Sequence, residues 1–339
     1  MSLSKAPAPL LNHSLPSTFH HASWTIRYSL LTPPTPPKTS NPSALKTLVF
    51  VHGTPWSSTV FQPLIQSLLS SPSFISQYNQ ILLYDLPGYG QSQSQSQEST
   101  QHHPINQPSD SNIENKHDKQ PNTSVATQSH TLAALLGHLH ITNPAVLAHD
   151  IGGAIALRAH LIHGVDFERM LLLDSNAVLP WGDGFYTLVR KSPEVFTALP
   201  AHIFEAVVRA VVRSASVTAR GLEGGWEEAL VASWIDGEGG GKGAQESFVR
   251  QIAQAEDEDV REMFAGGGEG CLYGRVRCGV RVLWGDWDSW IPREKMEKLC
   301  GLLGERLDRF VVVEGAGHLV MLDQPERVEE EVRRWLGVE

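Results

Sequence analysis

The chain has 339 residues, 41% hydrophobic and 19% charged, with a formal net charge of -10. That length holds one large domain, or a domain with a sizeable insertion, around a substantial core. The acidic balance speaks against a nucleic-acid or anionic-membrane surface as main partner, and no apolar run reaches the roughly 18 residues that span a bilayer.

The opening MSLSKAPAPLLNHSLPS has no basic start followed by a long apolar stretch, so no secretory signal is read there. Three cysteines, Cys271, Cys278 and Cys300, are too sparse for a disulfide framework or a zinc knuckle. They read as ordinary thiols of a reducing compartment, and a cytoplasmic location is expected.

In chain order, Trp24 to Leu30 reads as a strand and Thr32 to Ser43 as a proline-rich loop. Leu48 to Val51 is a buried strand by its β-branched content, Phe61 to Leu69 has helical spacing, and Ile81 to Tyr84 is again a strand. From Gln91 to about Gln128 almost no apolar residue occurs, and the segment reads as a disordered surface insertion. Its His102, His103 and His117 read as solvated loop residues, since nothing ordered fixes a coordination geometry.

Helix (Thr131 to His140), strand (Ala145 to Ala148), helix (Ile151 to Gly164) and strand (Met170 to Leu173) follow. The alternation resumes with Val280 to Trp284, Glu294 to Leu303, Phe310 to Val313 and Pro325 to Trp335. Such alternation predicts an α/β fold with a mostly parallel, doubly wound sheet. Residues 175–273 break the rhythm, being helical in pattern with glycine clusters at Gly237 to Gly243 and Gly266 to Gly270. They are expected to form a helical cap inserted into a core of residues 1–174 and 274–339.

Four motifs carry chemistry. Leu147-Ala148-His149-Asp150-Ile151-Gly152-Gly153-Ala154 joins a strand to a helix, with small residues where a tight elbow needs them. Asp150 stands at its tip, where the sheet end and the positive helix N-terminus favour a carboxylate; a plain helix N-cap is the alternative. His52-Gly53-Thr54-Pro55 follows a strand, and the Thr54 and Ile151 N–H groups are candidates for an oxyanion hole. Trp284-Gly285-Asp286-Trp287-Asp288 leaves a late strand and offers a carboxylate to orient a histidine. Asp288 is the first choice for that role and Asp174 the second. Last comes Gly315-Ala316-Gly317-His318, giving the order nucleophile, acid, histidine. His52, Trp56 and His149 are expected in the substrate pocket. No dinucleotide fingerprint, phosphate loop or metal cluster is present, so no cofactor is expected.

With these motifs and Asp85-Leu86-Pro87-Gly88-Tyr89-Gly90-Gln91-Ser92, the chain resembles the α/β-hydrolase superfamily over nearly its whole length, and within it the epoxide hydrolase and dehalogenase branch. The resemblance implies an α/β-hydrolase fold and a two-step hydrolysis. Asp150 attacks a saturated carbon to form an alkyl-enzyme ester, and His318, oriented by Asp288, activates the water that cleaves it.

Haloalkane dehalogenases usually carry tryptophan after the nucleophile and haloacetate dehalogenases arginines; Ile151 and Ala154 stand there instead, which favours epoxide hydrolysis. Epoxide hydrolases usually use two cap tyrosines as proton donors. Here Tyr186 lies well inside the cap and Tyr273 at its trailing edge, with His202 or a cap tryptophan as other candidates. The cap aromatics Trp181, Phe185, Phe196, Phe204, Trp226 and Trp234 imply a small apolar substrate, though a core of the cap itself accounts for most of them. Two rivals stay open: Asp150 as general acid or base in a lyase, cyclase or other hydrolase, and a binding protein that kept the fold without turnover. The sequence leaves the oligomeric state open.

Overall fold

A computed structural model describes residues 9, 14–33, 46–94, 121–181, 184–217, 219–235, 242–264 and 271–339. Nine strands form one sheet in the order β1-β2-β4-β3-β6-β7-β8-β9, with β5 paired to β2 off this path. The strands are β1 (Ser17–His21), β2 (Trp24–Leu31), β3 (Lys46–Val51), β4 (Tyr78–Tyr84), β5 (Gln93–Ser94), β6 (Ala145–His149), β7 (Arg169–Leu173), β8 (Gly279–Gly285) and β9 (Leu307–Val313).

From β4 to β9 every pairing is parallel, while β2 pairs antiparallel with β1, β4 and β5. Helices cover both faces of the parallel part, which explains why β6 is buried at all five positions and reads in sequence as the apolar run Ala145 to Ala148. The expected α/β-hydrolase architecture is present.

Parallel β3, β6, β7, β8 and β9 end at one edge of the sheet. The segments that leave it there carry Thr54, Asp150, Asp174, Asp288 and His318. A parallel sheet gathers residues far apart in sequence at its carboxyl end, and ligand sites lie there for that reason.

Between β7 and β8 lie the helices Gly184–Lys191, Pro193–Thr197, Ala201–Ser214, Trp226–Ile235, Lys242–Ala253 and Asp257–Arg261. Phe204 packs edge-on to Phe248, and Trp234 does likewise, so part of the aromatic set forms this segment's own core. Trp234 Nε1 donates to Pro55 O at 2.8 Å, and Ser247 Oγ to Gly88 O at 3.0 Å, tying the helices to the sheet's loops.

Two features differ from the sequence expectations. β1 was not foreseen. The segment from Gln91 to Gln128 is ordered at both ends: Gln93–Ser94 pairs with β2, and a helix begins at Val125 with buried Gln128 donating to Pro87 O at 3.0 Å. Backbone pairing and that buried contact order residues whose composition alone reads as loop. The three histidines His102, His103 and His117, residues 34–45 of the proline-rich loop and stretch, and most of both glycine clusters lie outside the described residues. No helix among the described residues is long and apolar enough to cross a membrane.

Candidate active site

Asp150 occupies the turn between β6 and the helix Ile151–Leu161, with φ 52° and ψ -124°. A non-glycine residue in this region is strained, and the surroundings fix it. Asp150 N donates to Leu173 O at 3.0 Å, and Asn176 N donates to Asp150 O at 3.1 Å. The close approach also demands glycines: a Cβ on Gly53 would lie 2.4 Å from Asp150 Cβ, and one on Gly152 would lie 2.5 Å from Val51 O. Asp150 stands at the N-cap position of that helix without a side-chain capping bond, so capping does not account for its carboxylate.

Its carboxylate turns toward the β3 loop, where Thr54 N donates to Asp150 Oδ2 at 2.8 Å, and the Ile151 N–H also bonds it. The other oxygen, Oδ1, lies 3.8 Å from His318 Nε2. Burial raises the Asp150 carboxyl to about 6; His318 and the N–H groups of Thr54 and Ile151 oppose that rise.

His318 stands on the loop after β9 and is 1% exposed. Its Nδ1 donates to Asp288 Oδ2 at 2.9 Å, which places the Nε2 lone pair toward Asp150 and leaves that nitrogen without a hydrogen bond. Burial disfavours the imidazolium, but the Asp288 and Asp150 carboxylates outweigh it and raise the His318 pKa. Asp288 Oδ1 in turn accepts from Trp290 N at 2.7 Å and Ile291 N at 3.0 Å, so the acid is locked in its own turn.

Asp174, the second choice, does not reach the histidine. Its Oδ1 accepts from Gly285 N at 2.8 Å, and its Oδ2 is buried without a hydrogen bond. Burial and the Asp288 charge hold Asp174 well above the usual carboxylate range. Asp286 accepts from Gly315 N at 2.7 Å and stabilises that turn.

A cavity opens over Asp150, walled by Thr54, Asn176, Trp181, Tyr186, Gln251 and Trp290 among others. The three residues expected in the pocket sit one layer back. His52 donates from Nδ1 to Gly53 O at 2.9 Å and accepts Leu86 N at 2.9 Å, so both ring nitrogens are committed to backbone. His149 Nε2 donates to His318 O at 2.8 Å, fixing the loop after β9 from behind. Trp56 stacks on Trp290 at 5.8 Å and supports the wall without forming it.

Of the candidate donors, Tyr186 reaches the cavity, where its ring meets Trp290 edge-on at 5.7 Å. Tyr273 is buried with its hydroxyl donating to Ala177 O, and His202 is exposed. The indole N–H groups of Trp181 and Trp234 are engaged by Asn176 O and Pro55 O. Asn176, Gln251 and the wall role of Trp290 escaped the sequence reading. Only Trp290 had a signal, its place two residues past Asp288 in the same loop.

Solved structures share this architecture. An α/β-hydrolase fold protein from Burkholderia ambifaria is 28% identical, with TM-score 0.71 over 94% of this chain and 97% of that one. An esterase from Thermogutta terrifontis with malate bound is 18% identical, with TM-score 0.61 over 92% and 93%. An esterase from Exiguobacterium antarcticum is 15% identical, with TM-score 0.64 over 93% and 96%. At those last two identities the likeness is one of fold. No curated protein matches the chain. Residues 48–331 match the alpha/beta hydrolase family, and the chain belongs to that family.

Proposed function

We propose that this α/β hydrolase cleaves a small apolar electrophile at saturated carbon, an epoxide first of all, through an ester on Asp150. The observation that carries the reading is the division of the Asp150 carboxylate: Oδ2 against Thr54 N at 2.8 Å, Oδ1 toward His318 Nε2 at 3.8 Å. In an acyl-transfer enzyme the hole receives a substrate oxygen. Here its N–H groups already hold an oxygen of the nucleophile, which suits them to the charge that develops when the Asp150 carbonyl is itself attacked.

Oδ1 attacks the ring carbon in line, the carbon–oxygen bond breaks, and the freed oxygen takes a proton from Tyr186. Water then attacks Cγ of the ester and gives a proton to His318 Nε2, whose cation Asp288 stabilises. Thr54 N and Ile151 N bind the tetrahedral oxyanion. Collapse expels the second product oxygen, which takes the proton from His318, and the proton left on Asp150 returns to Tyr186 through water. Attack of a carboxylate on an ester would give a mixed anhydride, a poor intermediate, so the esterase activity of structural neighbours does not transfer to an aspartate nucleophile. The helices of residues 175–273 act as the cap that walls the cavity from bulk water.

A second reading has Asp150 as general acid or base, and its rise to about 6 suits that role. Mass spectrometry separates the two. His318→Gln protein incubated with an aryl epoxide should gain the mass of the epoxide on the peptide containing Asp150. An unmodified peptide, with wild-type turning over, favours the acid–base role.

A further inference from the structure

We propose that Gln251 is a substrate-binding residue whose Nε2–H group donates to the oxygen that leaves carbon as Asp150 attacks. The proposal rests on the ester route and names how its first step is assisted.

Gln251 lies on the helix Lys242–Ala253, is 1% exposed, and walls the same cavity as Asp150. Thr54 Oγ1 bonds its Oε1 at 2.6 Å and also bonds the Tyr89 hydroxyl. A threonine hydroxyl carries one proton. Given to Gln251, that proton obliges Tyr89 to donate to Thr54, so the chain runs Tyr89 to Thr54 to Gln251. Tyr89 can keep that role at any working pH, since burial pushes its phenol well above the ordinary range. The amide is thereby oriented: Oε1 is committed, and Nε2 is left without a partner.

A buried amide donor with no partner is rare in a folded protein, and a bound ligand is one explanation for it. The indole donors on the same walls are engaged elsewhere, Trp181 Nε1 on Asn176 O at 2.6 Å and Trp290 Nε1 on Ser214 Oγ at 3.0 Å. Thr54 also couples the two reacting ends, its N–H holding Asp150 Oδ2 and its hydroxyl holding Gln251. One residue thus sets the spacing between nucleophile and donor. As the Asp150 Oδ1–carbon bond forms and the ring carbon–oxygen bond breaks, the electron pair moves to oxygen. The amide cannot surrender a proton, so it stabilises the developing charge while Tyr186 supplies the proton. An electrophile bearing a strong acceptor oxygen is the class that such a donor selects.

Rapid-quench alkylation of Asp150 by an aryl epoxide, in a His318→Gln background, tests this. Gln251→Met removes the N–H group at similar size; Gln251→Glu keeps the Thr54 contact and puts an acceptor where the donor stood. Alkylation should slow about 100-fold in Gln251→Met, the usual effect of losing one such donor, and at least as much in Gln251→Glu. With His318 intact, kcat/KM for epoxide turnover should fall by a similar factor. Gln251→Glu, which keeps the Thr54 contact, should be no better than Gln251→Met, a pattern that a general loss of structure would not give. Alkylation at an unchanged rate in either folded variant overturns the assignment and leaves the ester route standing. No adduct with Gln251 intact overturns both, since no departing oxygen is then left to bind.

Discussion

Trp290 lies flat against His318, ring centroids 4.6 Å apart and planes 25° from parallel, while its backbone N–H holds Asp288 at 2.7 Å. One residue therefore fixes both the imidazole and its acid. Trp290→Ala should slow ester hydrolysis by roughly 10- to 100-fold, since misplacing a base by about 1 Å has effects of that size, and Trp290→Phe should recover most of it. Single-turnover decay of the Asp150 ester is the measurement. Equal rates in all three proteins would remove the positioning role.

Asp288 and Asp174 should differ sharply. Asp288→Asn removes the acceptor that sets the His318 tautomer, and the expected loss in turnover is on the order of 10³-fold, by analogy with the aspartate of a serine-protease triad. Asp174→Asn keeps an oxygen to accept from Gly285 N and leaves the Asp288–His318 bond intact, so it should cost under about tenfold. Steady-state rates of the two variants check this; a larger loss in Asp174→Asn would exchange their roles.

The two steps should carry different pH limbs. Alkylation needs the ionised Asp150 carboxylate, so its rate should climb as pH rises through about 6 and then level. Ester hydrolysis needs neutral His318. With Asp150 uncharged as the ester, only Asp288 opposes the burial that lowers the imidazole. This limb should therefore titrate below His318 of the free enzyme, where both carboxylates raise it. Quench-flow rates of each step across pH 5 to about 9 resolve them.

The same Asp150 shift bears on stability. The folded protein holds this proton more tightly than the unfolded chain, whose carboxyl titrates near 3.8. The stabilisation from this group is full below that value and is lost as pH rises through about 6. A shift of some two pH units corresponds to about 3 kcal/mol. Asp150→Asn should therefore unfold about 4 °C higher at pH 8, with the gain disappearing near pH 3. Calorimetry at both pH values measures it; an unchanged or lower Tm at pH 8 would mean that the carboxylate is not held under that strain.

Much of the architecture was legible in the sequence because a buried parallel strand writes itself as an apolar run and a tight elbow demands small residues. β6, Asp150 and Gly152 are such cases. β1 was not, since Ser17–His21 alternates half-buried with exposed positions and carries two histidines, as a strand with one neighbour can. Asp288 and Asp174 both follow strand ends, and only the reach to His318 Nδ1 separates them. Gln251 reads as one more polar position on an amphipathic helix, and neither its burial nor its bond to Thr54 leaves a trace in local pattern. The expected pocket residues His52 and His149 failed for a related reason: adjacency to a motif does not say which side of the backbone faces the cavity.

The most direct test of the account is turnover of an epoxide in heavy-oxygen water, with the label located in Asp150 and in the product. Attack of water on the ester carbonyl predicts heavy oxygen in the Asp150 carboxyl after many turnovers, and a first-turnover product that carries the enzyme's own light oxygen. Product labelled from the first turnover, with Asp150 unlabelled, would contradict the nucleophilic role and leave Asp150 as an acid or base.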